Sequence, residues 1–182
     1  MKRLSKWCLL LLVASILTGS WWAAADPILP HAKLSDEEVS LAHIRRFRID
    51  PLPMPKALTE IGFDDPVHKR VLKKELEAAD FVIGQAEDMP LMISRVVVNQ
   101  DENHPKMLAI WHVVALRQKV RLERLDRRLF VPTASVSNVV LASREDAVAK
   151  LKGLMRQNLR TLKRTVDHAT NVLDRMTEQG GD

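Results

Sequence analysis

Between Ser143 and Thr177 the residues Val148, Leu151, Met155, Leu159, Leu162, Val166, Ala169, Leu173 and Met176 follow one another at steps of three and four. That spacing is the apolar seam of a helix. The alternation slips once, between Met155 and Leu159, where Asn158 holds the place a strict heptad gives to an apolar residue, so a supercoil would unwind locally there. With Leu154, Thr165 and Val172 beside it, the stripe is wide enough to face two neighbours rather than one coiled-coil partner. At about 1.5 Å per residue the helix is roughly 50 Å long, and whatever packs on it must be long too. The fold class this predicts is all-α: an elongated bundle of about four helices, with the long heptad-patterned member at 143–178.

The other end of the chain predicts export. Met1-Lys2-Arg3-Leu4-Ser5-Lys6 is basic, Trp7 to Leu17 is apolar, and Ala23-Ala24-Ala25 precedes Asp26. These are the parts of a secretory signal peptide over residues 1–25, and they point to a periplasmic or secreted protein. An uncleaved anchor is the alternative, but the apolar run is short for a span of about 20 residues, so no stable membrane span is expected after cleavage. Cys8 lies early in the run, which makes it a poor lipid-attachment cysteine.

Removing this segment changes the charge. Lys+Arg falls from 28 to 25 when Lys2, Arg3 and Lys6 leave, Asp+Glu stays at 23, and the net charge drops from +5 to +2. The single cysteine leaves as well, so the mature chain has no disulfide, no Cys-ligated zinc and no thiol nucleophile. Of the four tryptophans only Trp111 remains, and a stacking platform for bases or sugars needs more aromatics than that.

Residues 26–34, with Pro27 and Pro30, read as an extended lead-in to one helical domain over 35–178, with a frayed tail at 179–182. Ser35-Asp36-Glu37-Glu38 has capping-box spacing and opens a helix over 35–48. Asp50-Pro51-Leu52-Pro53-Met54-Pro55 cannot be helical and reads as a stiff polyproline-type strap, followed by a brief turn of helix ending at Gly62. Asp65 as N-cap and Pro66 start a helix over 66–99, kinked at Pro90. Met89, Met92, Ile93, Val96 and Val97 keep helical spacing beyond the kink, and a strand there would bury Arg95 beside Ile93. The β-branched run Val96-Val97-Val98 nevertheless leaves a short strand open. Met107, Leu108, Ile110, Trp111, Val113, Val114 and Leu116 make the start of a helix over 105–130 apolar nearly all round, the mark of a central position. Val131 to Val140 reads as a loop.

Charge is the loudest polar signal. Arg117, Lys119, Arg121, Arg124, Arg127 and Arg128 face only Glu123 and Asp126 nearby, and the first half of the long helix adds Arg156, Arg160 and Arg164, while acids concentrate at 75–102. Such segregation steers packing or an acidic partner. The candidate partner-binding residues are Arg117, Arg121, Arg124, Arg128, Arg156, Arg160 and Arg164. Nucleic acid is not expected, since the net charge is small and aromatic punctuation is missing.

No motif for chemistry stands out. No two histidines sit at i, i+3 or i+4 and no HExxH occurs, so no metal ligand or cofactor is expected; a site built from His112, His168 and Asp167 has no spacing to support it. Ser94, Ser135 and Ser137 lack a GxSxG setting. The expectation is an exported, non-enzymatic helical protein that acts through protein–protein contacts. It would serve as an accessory or scaffold subunit of a cell-envelope assembly, such as a secretion or conjugation machine, or as a chaperone-like factor. The alternative is a periplasmic helical-bundle sensor of a ligand or metal, and self-association through 143–178 is a further expectation.

Overall fold

Along Leu108, Ile110, His112, Val114 and Leu116 every second side chain is buried, while on the alternate positions Met107, Trp111 and Arg117 are exposed and Ala109, Val113 and Ala115 half-buried. A period of two is a strand, not a helix. The computed structural model describes residues 36–122, 124 and 126–179; the expected signal peptide, the lead-in and residues 180–182 lie outside the described residues. In chain order the elements are α1 (Asp36–Leu41), β1 (Arg46–Pro51), α2 (Lys56–Thr59), α3 (Asp65–Glu77), β2 (Val82–Ile83), β3 (Leu91–Gln100), β4 (Met107–Leu122), β5 (Arg127–Ser143) and α4 (Ala147–Gln179).

The all-α bundle is therefore corrected to a mixed α/β fold. The strands form one sheet in the order β2-β1-β3-β4-β5, parallel where β1 meets β2 and β3, antiparallel from β3 to β5. The helix expected over 35–48 ends at Leu41, and β1 takes up the start of the proline strap. The helix expected over 66–99 ends at Glu77 and never reaches Pro90. Its expected continuation is β3, where Met92, Ser94 and Val96 are the buried set, whereas Ile93 and Arg95 share the other, open face. The objection that a strand would bury Arg95 assumed the wrong face as core. The helix expected over 105–130 is β4, an unbroken apolar run because both of its faces carry apolar residues, and such a run cannot be told from a buried helix by periodicity. The expected loop 131–140 belongs to β5. Pro132 is tolerated because β5 is an edge strand and because the pairing slips there: Leu116 pairs with Ala134 and Arg117 with Pro132, leaving Thr133 as an extra residue.

Local signals set the helix starts. Asp64, not Asp65, caps α3, its carboxylate accepting from the Val67 N–H at 3.0 Å. Asp65 instead accepts from the Met54 N–H at 2.6 Å and pins the strap to the start of α3. Ser143 accepts from the Asp146 N–H at 3.1 Å, and the helical hydrogen bonding of α4 begins when Lys150 donates to the Asp146 carbonyl at 2.9 Å. On α4 the seam residues Leu151, Met155, Leu159, Leu162, Val166 and Ala169 are buried in one core with Met92, Leu108, Ile110, Val114 and Leu116 of the sheet. The long helix is thus not a coiled-coil strand: its seam is covered by the chain's own sheet, and Met176, near its end, is exposed. Among the described residues no helix is long and apolar enough to cross a membrane.

Candidate protein-docking face

Residues that pair across strands point to the same side of a sheet. On the helix-covered side lie Met92, Ser94, His112 and Val114. On the other side Val97 pairs with Trp111 and Trp111 with Val139, while Asn99 pairs with Ala109 and Ala109 with Leu141. Among the described residues no second layer covers this side: Trp111 is 48% exposed, Val139 65% and Leu141 68%. Beside them Asn99, Gln100, Asp101, His104, Met107, Ala109 and Leu141 line a pocket of about 460 Å³. Large apolar side chains are thus grouped on one open face with a pocket at their edge, a grouping uncommon on a purely solvated surface.

The same face turns cationic further along. Strand alternation puts Arg117, Lys119 and Arg121 of β4 on the open side. The register pairs Arg121 with Arg128, Lys119 with Phe130 and Arg117 with Pro132. Arg95 of β3, opposite Val113, extends the group. Arg121 is held by Asp126, through Nε at 3.1 Å and Nη2 at 2.7 Å. This end of the β4–β5 hairpin runs past the last residue of β3 that pairs with it, Leu91, so its cations project beyond the rest of the sheet.

The seven arginines proposed from sequence do not form one surface. Arg117, Arg121 and Arg128 lie on the open face and Arg124 in the exposed hairpin turn. Arg156, Arg160 and Arg164 lie on α4, in the layer on the other side of the sheet. Arg156 is committed internally, giving two bonds of 2.9 Å to both carboxylate oxygens of Glu75 on α3. That hydrogen bonding outweighs the partial burial of Glu75 and holds its carboxyl below the usual range. Trp111, Val139 and Leu141 were missed. Their signal was present as an apolar run on alternate positions of both strands, hidden by a helical assignment of one and a loop assignment of the other.

A second feature also escaped sequence reading: a chain of polar side chains through the core. Asn158 donates from Nδ2 to the His112 carbonyl at 2.8 Å, and since a carbonyl only accepts, the orientation of the Asn158 amide is fixed. The same Nδ2 faces His112 Nδ1 at 3.0 Å, so Nδ1 accepts and the proton of the neutral ring sits on Nε2. Nε2 then donates to Ser94 Oγ at 3.0 Å, and Ser94 Oγ is hydrogen-bonded to His68 Nε2, also at 3.0 Å. Asn138 donates to the Asn158 carbonyl oxygen at 2.6 Å. The chain links Asn138, Asn158, His112, Ser94 and His68, and ties α4, β5, β4, β3 and α3 together. Burial pushes His112 down to about 4, with His68 adding to the effect, and lowers His68 as well.

This arrangement fastens layers. Ser94 and His112 have the atoms of a nucleophile and base, but both are buried. Both ring nitrogens of His112 are engaged, whereas His168 is exposed and lies ten residues beyond Asn158 on α4, about 15 Å along the axis. Asp167, the third member of the weighed metal site, is held by Lys163 at 2.9 Å and by Arg45 at 2.8 Å. The three do not meet, and among the described residues no group of three or more His, Cys, Asp or Glu side chains is placed to hold a metal.

No family model matches the chain, and no curated protein is similar to it in sequence. Among solved structures the chain is similar in part to a minor lipoprotein from Acinetobacter baumannii, with 8% identity over 71% of this chain and 94% of that one and a TM-score of 0.42. A Caulobacter crescentus protein assigned as a lipoprotein aligns with 81% of this chain and 100% of its own at 10% identity and a TM-score of 0.30. The rare lipoprotein B of Shewanella oneidensis aligns with 74% of this chain and 95% of its own at 13% identity and a TM-score of 0.24.

Proposed function

We propose that this chain is an exported, non-enzymatic accessory or scaffold subunit of a cell-envelope assembly, and that it captures a protein partner on the uncovered face of its sheet. Export rests on the basic, apolar and small-residue succession of residues 1–25. Capture rests on one observation: a single open face is apolar around Trp111, Val139 and Leu141 and cationic around Arg117, Lys119 and Arg128. The partner that complements it presents an apolar patch whose one end is rimmed by carboxylates. Apolar contact supplies affinity, and the cations set orientation and rate of encounter.

Two charge reversals, compared side by side, test the reading. Arg117→Glu with Arg128→Glu on the open face is expected to abolish recovery of the partner from crosslinked envelopes. Arg160→Glu with Arg164→Glu, on the opposite layer, is expected to leave it intact. Trp111→Ala is expected to weaken binding by about thirtyfold, the scale of a 2 kcal/mol anchor. Equal loss in both pairs, or in neither, sinks the assignment of the face.

A further inference from the structure

β5 is a margin of the sheet, and only its β4 side is paired. The Arg144 N–H donates to the Lys106 carbonyl at 3.1 Å, which fixes the phase of that ladder. In an antiparallel pair the residues that bond inward alternate with those that turn away. Ala134, Val136, Asn138, Val140 and Ala142 therefore bond to β4, while Ser135, Ser137, Val139, Leu141 and Ser143 turn both N–H and C=O to the free edge. Among the described residues nothing takes up these outward groups. Sheet edges are ordinarily guarded against pairing by charge, by proline or by a bulge. β5 carries all three in one half: Arg127, Arg128, Pro132 and the extra residue Thr133. From Ala134 to Ser143 it has none, and Val139 and Leu141 are exposed there.

An unguarded edge accepts a further strand, and the residues around this one decide which. Two copies related by a two-fold axis meet antiparallel and turn the same residues outward, so the axis passes through one of those residues. On Val139 the ladder runs from Ser135 to Ser143 in both copies and leaves Pro132 and Thr133 outside. On Ser137 it would take in the bulge, and on Leu141 it would shrink to Val139–Ser143. With the axis on Val139, that residue meets its own counterpart and Ser137 meets Leu141. Since Val97 pairs with Trp111 and Trp111 with Val139, this apolar row continues into the same row reversed. The same register brings Glu145 of each copy alongside Thr133 of the other, one strand from Arg117. Glu145 and Arg117 are exposed, and neither has an ion pair among the described residues. The edge thus carries its own complement in hydrogen bonds, apolar contact and charge.

We infer that this chain pairs with a second copy of itself along β5, joining two five-stranded sheets into one about a two-fold axis at Val139. The axis stands perpendicular to the sheet, so both open faces lie on one side and the Trp111 patch is doubled. That doubled face remains free for another protein. The pairing rests on the edge and not on the reading of the face, and either can fail alone.

The test uses the mature chain, which lacks Cys8 and so has no thiol of its own. Sedimentation velocity at up to about 100 μM is expected to show a dimer that dissociates on dilution. Val139→Lys sets like charges against each other at the axis, on a position already exposed, and is expected to weaken the dimer about tenfold or more. Single cysteines read the register. Val139→Cys is expected to form a disulfide between copies on mild oxidation, since directly opposed Cα atoms about 5.5 Å apart are within its reach. Ser135→Cys, exposed on the same edge, is not, because its counterpart lies about 27 Å away along the strands. A monomer at the highest concentration, a dimer indifferent to Val139→Lys, or Ser135→Cys crosslinking as readily as Val139→Cys overturns the inference.

Discussion

Acid should loosen this protein well above the pH at which its carboxylates protonate. His112 is neutral in the folded state because burial holds it at about 4, and because a proton on Nδ1 would confront the Asn158 amide that already donates there. In the unfolded chain it returns to its ordinary 6.5. The folded value is the lower one, so the unfolded state takes up the proton first as pH falls. The stability is whole above the unfolded value and is lost as pH drops from there towards the folded one. Between pH 7.5 and 4.5 the loss from His112 alone is about 2.5 kcal/mol. His68 shifts in the same direction and adds to it. Urea unfolding of the mature chain across this range should show the decline, and His112→Gln should flatten most of it while starting from a lower stability at neutral pH. A parent whose stability is level from pH 7.5 to 4.5, or a variant with an undiminished slope, would refute the neutral, hydrogen-bonded His112.

Asn158→Leu restores the heptad but is expected to destabilise the protein by about 3 kcal/mol, lowering its melting temperature by about 10 °C, because the His112 carbonyl and the Asn138 amide lose their partner; a gain in stability would show that the seam outweighs the polar chain. Arg156→Ala should lower the melting temperature at neutral pH. It should also make stability less steep in acid, since the stabilisation that the Arg156–Glu75 pair provides is present above the ordinary Glu75 value of 4.5 and is lost as pH falls through the depressed folded one; equal acid slopes in parent and variant would count against it. Infrared spectra of the mature chain should carry a strong sheet band from β3, β4 and β5, where a purely helical spectrum would contradict the fold.

The C-terminal helix is legible in the sequence because its seam is long and one-sided, and because Ser143 and Asp146 supply a start. Asn158 is visible there only as a defect; its partners, His112 and Asn138, come from strands that no local pattern brings together. The strands themselves are hidden for two different physical reasons. In β4, apolar residues on the open face fill the gaps that would betray a period of two. In β5, Pro132 and the serines carry the composition of a loop, which an edge strand with a bulge can afford and a central one cannot. Arg95 shows how a correct observation misleads when the face is guessed: it does share a side with Ile93, and that side is open. The charge segregation is legible along the chain, but the sheet sorts it into two layers, so Arg117, Arg121 and Arg128 are separated from Arg156, Arg160 and Arg164. The open face itself, the feature on which the proposed function rests, exists only once Trp111 is paired with Val139.

That face can be interrogated directly in the living envelope. A photoactivatable side chain placed at Leu141, beside Trp111, should crosslink to one protein partner in the exporting cell, and the same group at Arg164 on the opposite layer should not. Loss of the Leu141 crosslink on adding Arg117→Glu would join the apolar and cationic ends into one site. Crosslinking from Arg164 with none from Leu141 would contradict the account, and would place the partner on the helices instead.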